Sequence, residues 1–292
     1  MSKIFLFNAT GMQGMAIAEK LKAKGHAITS PVRSEEKQAQ LNNIGYEAFV
    51  SDFSTTSLAP QIKNADKVVL QIPAQISPSQ MIAFARNAIE AIKQAGTPQT
   101  VFVISSTLPD NKIGKKSVDA RVEMKDYCLE HLPNTPIFSS TEYLENFSTA
   151  YRSAIEGDGI IPQTIPPNYP VNYLSWKDLA TYVEAALDSN KLDGGLYRIG
   201  GSEGISGNEL ADRLGSILKK KLNYVPISHE QLAGILTPIL GESIARDYAE
   251  FYEYQDTKGQ HLLNPDTNEI RNVLGIELPN FEEWAQHAFQ SN

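Results

Sequence analysis

The sequence predicts an α/β protein built on a doubly wound parallel sheet, and three observations carry that reading. Short apolar runs of strand length recur without polar alternation: Ile4 to Phe7, Lys67 to Ile72 and Thr100 to Ile104. Strands buried on both faces look like this. Segments of helical period alternate with them, as βαβ units require. The first run, Lys3 to Ala18 (KIFLFNATGMQGMAIA), also passes from strand through a glycine-bearing turn into a helix with no spare residue.

In that turn Gly11 and Gly14 stand where a backbone must approach a ligand phosphate and a helix must pack closely on the strand it follows. Asn8 takes the place of the first glycine of the usual fingerprint, and Asn is the non-glycine residue that best tolerates positive φ. A helix from Met12 then points its first amides and the positive end of its dipole at an anion. A tight turn with no ligand uses the same residues, so the rest of the chain must decide.

At 292 residues the chain can bury an ample core as one large domain or two small ones. Its 41% hydrophobic and 21% charged residues exclude disorder and a membrane span. The net charge of −8, with basic residues scattered apart from Lys219 to Lys221, argues against nucleic acid as a ligand. A single cysteine, Cys128, excludes an intramolecular disulfide, and no histidine pair makes a metal motif, so no metal is expected. The strand starting at Lys3 leaves no room for a signal peptide, which favours the cytoplasm.

The first helix runs to about Lys24 and stops at Gly25. His26 to Val32 reads as the second strand, ending near Ser30 because Pro31 cannot donate to a central ladder. Arg33 follows, where an NAD-selective sheet places an acidic residue. With Lys37 one turn on, it suits a 2′-phosphate or is simply a solvated basic pair. Gly45 to Val50 is a third strand, followed by Ser51, Asp52 and a helix from about Ser54. Asp66 marks the turn into Lys67 to Ile72.

Ser77 to Gln80 forms a capping box with Pro78 at the first helical position, and Met81, Ala85, Ala88, Ile92 and Ala95 follow at helical spacing. Gly96 and Pro98 close that helix. Ser105, Ser106 and Thr107 stand at the carboxyl end of the strand Thr100 to Ile104. A polar loop, Pro109 to Lys116, leads to a helix capped by Ser117 and running to about His131, and then to a strand at Pro136 to Ser139. Ligands of such sheets bind beyond the carboxyl ends of the strands, so Gln71 to Pro73, Ser105 to Thr107 and the segment after Ser139 are expected pocket walls.

Thr141 to Phe147 (TEYLENF) leads into a helix with Tyr151. Gly157 to Pro170, with two glycines and four prolines, reads as a loop and as the boundary between a nucleotide-binding part, 1–157, and a smaller, mainly helical, substrate-covering part, 158–292. Residues 171–200 are expected to pack back on the first part, as a strand Val171 to Leu174, a helix Ser175 to Leu187 and a strand Gly195 to Ile199. Ser206 to Leu218 is an amphipathic helix, Asn223 to Pro226 is extended, and the remainder is helical, with Phe251, Tyr252 and Tyr254 as core.

Asn8 to Gly14 (NATGMQG), the second strand from GHAI to VR, the strand VFVISS and the YLENF segment resemble the NmrA-like group of atypical short-chain dehydrogenases, and within it the bacterial NADPH-dependent quinone reductases. The similarity extends to YRIGG and the helix from Ser206. It implies a Rossmann fold and NADPH as cofactor, with Thr10, Gly11, Met12 and Gln13 around the pyrophosphate, Arg33 and Lys37 near the 2′-phosphate, and Asp52 with Phe53 near the adenine. It further implies Gln71, Ile72, Pro73, Ser105, Ser106 and Thr107 along the nicotinamide end, and Tyr143 and Asn146 facing a quinone-like substrate. A homodimer is compatible with it.

Ordinary short-chain dehydrogenases set a tyrosine acid one helical turn from a lysine that lowers its pKa. The expected positions here read Ser117 and Arg121, so that dyad is absent. Tyr173 with Lys177 straddles a strand end, and Tyr254 with Lys258 is expected far from the nucleotide-binding part. A quinone accepts hydride without a strong acid if it stacks on the nicotinamide, and its proton can come from water or from Tyr143. Arg121 reads as an electrostatic stabiliser or, more simply, as an exposed helix arginine. Two functions follow: an NADPH-dependent quinone reductase, or a non-catalytic NADP(H) sensor that binds a protein partner.

Overall fold

The structure is a computed structural model that describes residues 1–73 and 76–290; the last two residues of the expected C-terminal part lie outside this range. Seven strands form one sheet in the order β3-β2-β1-β4-β5-β6-β8. They are β1 (Lys3–Leu6), β2 (Ala27–Val32), β3 (Glu47–Val50), β4 (Lys67–Gln71), β5 (Gln99–Ile104), β6 (Pro136–Ser140) and β8 (Gly195–Ile199). Every pairing is parallel. A separate pair joins β7 (Ile160–Gln163) to β9 (Asn223–Pro226). The chain is thus a Rossmann-like α/β fold whose order reverses at β1, between β2 and β4.

The helices are α1 (Met12–Ala23), α2 (Glu35–Asn43), α3 (Thr55–Ile62), α4 (Pro78–Gln94), α5 (Lys116–His131), α6 (Glu145–Ser148), α7 (Trp176–Ser189), α8 (Gly207–Leu218), α9 (His229–Leu240), α10 (Glu242–Thr257), α11 (Asn268–Leu274) and α12 (Phe281–Gln290). Strand periodicity divides the core between the two faces of the sheet. Ile4, Leu6, Val69 and Val101 pack toward Ile17 and Leu21 of α1 and Leu179 and Val183 of α7. Phe5, Phe7, Val68 and Phe102 pack toward Leu58 of α3, Ile89 of α4 and Val122 of α5. A third core gathers Phe147, Ile161, Leu210, Leu214 and Phe281, away from the sheet.

Five expectations need correction. β2 runs through Pro31 to Val32, because its register with β1 ends at Thr29 and Pro31 is paired only with β3. Ser117 lies inside the first turn of α5 rather than capping it; Lys115 holds the cap position. The helix expected after Phe147 breaks into the short α6 and a π-helical turn, Ala154–Asp158. The stretch Gly157 to Pro170 is not all loop, since β7 lies within it. Val171 to Leu174 makes only isolated bridges, Val171 with Ile205 and Leu174 with Tyr143.

After that stretch the chain returns to the sheet, with α7 against α1 and β8 beside β6. α9 and α10 pack on each other, and α10 lies against α5, where Phe251 and Tyr254 meet Val118. The Tyr254 segment is therefore next to the sheet domain and not remote from it. Tyr254 is itself a buried member of that apolar cluster. Among the described residues no helix is long and apolar enough to cross a membrane.

Candidate functional site

The turn after β1 shows why its residues are what they are. Asn8 adopts φ 62°, and its carbonyl accepts from the Gly11 amide at 2.9 Å. A Cβ on Gly14 would lie 2.0 Å from the Asn8 carbonyl oxygen, and one on Gly11 would lie 2.9 Å from the Asn8 side-chain nitrogen. Only glycine lets α1 start this close to β1. Gly11 caps α1 with no side-chain hydrogen bond, and the first intrahelical bond runs from Met15 N to Gly11 O at 2.8 Å. By contrast α2, α3, α4, α7, α8 and α9 each have a serine cap. The start of α1 thus has no side-chain cap, a property it shares with α5, α6, α10 and α11.

A groove of about 260 Å³ opens here, between Asn8 and Thr10 to Gln13 on one side and Ile72, Pro73 and Ser105 on the other. It lies beyond the carboxyl ends of β1, β4 and β5. Its floor is a polar knot: Gln13 Oε1 accepts from Gln71 Nε2 at 2.6 Å and from Ser105 Oγ at 2.6 Å. Gln71 Oε1 is buried and has no hydrogen-bond partner among the described residues. Such an orphaned acceptor is an invitation to a donor carried by a ligand. A larger cavity, about 470 Å³, opens at the opposite edge, where Thr97 to Val101 and His131 to Pro136 enter the sheet. Open parallel sheets do not bind their ligands at that end.

Arg33, at the end of β2, is exposed, and its guanidinium lies 5.7 Å from the centre of the Phe53 ring. Phe53 holds φ 59° and packs on Phe84 at 4.9 Å, so the ring forms a fixed platform at the end of β3. Asp52 accepts from Ser54 N at 2.9 Å and from Ser54 Oγ at 2.7 Å, and these bonds hold its carboxyl below the ordinary range. Lys37 points along its own helix to Gln40 at 3.0 Å. Ser106 is buried, with its carbonyl accepting from Ser139 Oγ at 2.8 Å, and its side chain does not line the groove.

The segments that follow β5 and β6 are bonded to α10. Thr107 Oγ1 donates to Gln255 Oε1 at 3.1 Å, and Gln255 Nε2 donates to Glu142 Oε1 at 2.9 Å. Tyr252 OH and Asn146 Nδ2 donate to Glu142 Oε2 at 3.1 and 3.3 Å. Glu142 is buried, and burial pushes its pKa up. The sequence offered no signal for it: a lone acid beside Tyr143 looks like any surface glutamate. Tyr143 is buried, and its hydroxyl lies near the Ser140 and Ser105 hydroxyls without a well-formed hydrogen bond. Burial raises its pKa, the reverse of an activated tyrosine.

Arg121 is not an exposed helix arginine. It is 6% exposed, donates to Ser117 O at 2.7 Å, and lies 5.4 Å from the centre of the Phe251 ring. It shares a narrow cleft with Ile72, Pro73 and Ser105. Burial lowers its pKa, while Asp247 of α10 acts through space to raise it. Among the described residues no cluster of three or more His, Cys, Asp or Glu could hold a metal.

A sheet of this order with a glycine-turn groove at its reversal point defines a dinucleotide-binding class of fold. Residues 1–285 match the NmrA-like family, and the chain belongs to that family. No curated protein sequence matches it. Solved structures do. The chain is similar to the Citrobacter sp. triphenylmethane reductase, at 19% identity and a TM-score of 0.81, covering 99% of this chain and 100% of that one. It is similar to an Escherichia coli NADPH-dependent quinone oxidoreductase complexed with NADPH, at 20% identity, TM-score 0.81, covering 98% and 99%. It is also similar to a Staphylococcus aureus nucleoside-diphosphate-sugar epimerase, at 18% identity, TM-score 0.80, covering 97% and 99%.

Proposed function

We propose that the protein is an NADPH-dependent oxidoreductase that reduces a quinone-like small molecule in the cytoplasm. The observation that carries this reading is the uncapped start of α1 facing the groove at the sheet's reversal point. The fit is local and chemical. The Gly14 close approach, the α1 start without a side-chain cap and the Gln71 oxygen, which has no partner among the described residues, suit a dinucleotide with an anionic centre and an amide end. The two similar reductases, of a dye and of quinones, support it.

In this reading Asn8, Thr10, Gly11, Met12, Gln13 and Gly14 hold the pyrophosphate. Arg33 and Lys37 take the 2′-phosphate, and Asp52 and Phe53 border the adenine. Gln71, Ile72, Pro73, Ser105 and the Ser106 backbone border the nicotinamide. When bound, the reduced nicotinamide supplies hydride. The chain supplies the rest: Thr107, Tyr143 and Asn146 orient the acceptor, α10 shields it from water, and Arg121 stabilises negative charge that develops on its oxygen.

Titration of NADPH against NADH tests the cofactor assignment. A charge-assisted phosphate contact is worth roughly 1.5–3 kcal/mol, or about 10- to 100-fold in Kd. The wild-type chain should prefer NADPH by that factor, and Arg33→Asp should lose the preference. Equal wild-type affinity for both nucleotides would contradict the reading.

A further inference from the structure

Arg121 carries a charge that the surrounding side chains do not neutralise. Its hydrogen-bond partners among the described residues are the carbonyl and hydroxyl of Ser117, 2.7 and 2.5 Å from Nη1 and one turn back on α5. No carboxylate among the described residues reaches ion-pair distance; Asp247 of α10 acts on Arg121 only through space. An arginine stays charged even when buried, and a buried charge without a counter-ion is costly. The two Ser117 bonds and the Phe251 ring, whose centre lies 5.4 Å from the guanidinium carbon, offset part of that cost.

The residue also borders open space. Arg121 lines a cleft whose other walls are Ser105 and six apolar residues, Ile72, Pro73 and Met124 among them, and it is the only charged residue of that lining. The cleft encloses about 10 Å³, room for about one oxygen atom. Ile72, Pro73 and Ser105 are walls of the larger groove as well, so the cleft adjoins the position assigned to the nicotinamide.

We propose that Arg121 selects the acceptor by charge: the site takes quinone-like molecules that carry a carboxylate or another anionic oxygen next to the reacting ring, and it rejects cationic ones. The proposal rests on the NADPH-dependent reductase reading, which places the acceptor at this end of the groove. Apolar walls screen a charge far less than water does, so a single oxygen entering the cleft is discriminated by its charge. Ser117 and Phe251 fix the guanidinium before any ligand arrives, so little is lost in orienting it.

The groups that act on Arg121 through space leave the field positive. Tyr248 and Tyr252 of α10 stay neutral, since burial raises both phenols, and Asp247 is only half-buried, so water screens its charge.

Benzoate, benzamide and benzamidine test the proposal, because they share one planar shape and are anionic, neutral and cationic. Each is titrated by nuclear magnetic resonance against the wild-type chain in saturating NADP+, and each is tried as an inhibitor of NADPH oxidation with 1,4-benzoquinone. The expected result is benzoate binding about 10- to 100-fold more tightly than benzamide, benzamidine binding more weakly than both, and benzoate competing with the quinone. Arg121→Met should abolish the preference for benzoate. Arg121→Lys should keep part of it, because a point charge replaces the planar fork. Nucleotide affinity and the far-ultraviolet spectrum report the folding of each variant. Equal wild-type affinity for benzoate and benzamide needs no variant and would overturn the proposal, as would a preference that a folded Arg121→Met retains; either leaves the reductase reading intact. No NADPH oxidation with quinone would overturn that reading, while the binding order of the three compounds still decides whether Arg121 receives an anion.

Discussion

Gly14 and Glu145 show how far single residues are constrained by the fold. Gly14→Ala forces a methyl against the Asn8 carbonyl, a separation of 2.0 Å that backbone cannot accept without shifting α1 off β1. Overpacking of this kind costs about 1–3 kcal/mol. Urea unfolding should show that loss together with a loss of nucleotide affinity. Glu145 is buried, and both its oxygens accept from Trp176 N, at 3.0 and 3.1 Å. Burial raises its pKa from 4.5 to about 7, with Asp178 adding to the shift. A raised acid binds its proton more tightly in the folded chain, so its contribution to stability is full below pH 4.5 and is lost as pH rises to about 7. The loss is about 3 kcal/mol for such a shift. Glu145→Gln keeps an acceptor for Trp176 and should flatten the fall in unfolding free energy between pH 4.5 and 7 seen with the wild type.

At the scale of elements, what the sequence makes legible is what local chemistry fixes. β1, β4 and β5 read clearly because strands buried on both faces are apolar along their interiors, here Ile4 to Leu6, Val68 to Leu70 and Val101 to Ile104. The Ser77–Gln80 capping box is equally local, and both of its reciprocal bonds are formed. Ser77→Ala should cost α4 about 1 kcal/mol, and a thermal melt should fall by roughly 2–4 °C. Pro31 misled because a strand's ladder partners, not its own residues, decide where a proline is tolerated. Arg121 and Glu142 were illegible for a different reason. Both are buried by α10, whose Gln255 meets Thr107 across 148 residues of chain, and no local pattern announces that contact. Tyr252→Ala removes a hydrogen bond that favours the Glu142 carboxylate, so infrared titration of the variant should show the Glu142 pKa raised further.

On the scale of the whole molecule, the parallel sheet gathers the carboxyl ends of its seven strands on one edge, and most residues assigned to the dinucleotide or its acceptor follow those ends, while Lys37 and Arg121 come from α2 and α5. The glycine turn was legible as a close strand-to-helix turn because strand and helix run straight through it. The acceptor end was legible only in part, since Tyr143 and Asn146 come from the sequence while the helix that closes over them does not. The direct measurement is NADPH oxidation by the purified protein with simple quinones, followed by absorbance and compared with a protein-free control. The account predicts a rate well above that control, with NADPH preferred over NADH. A rate equal to the control would contradict it.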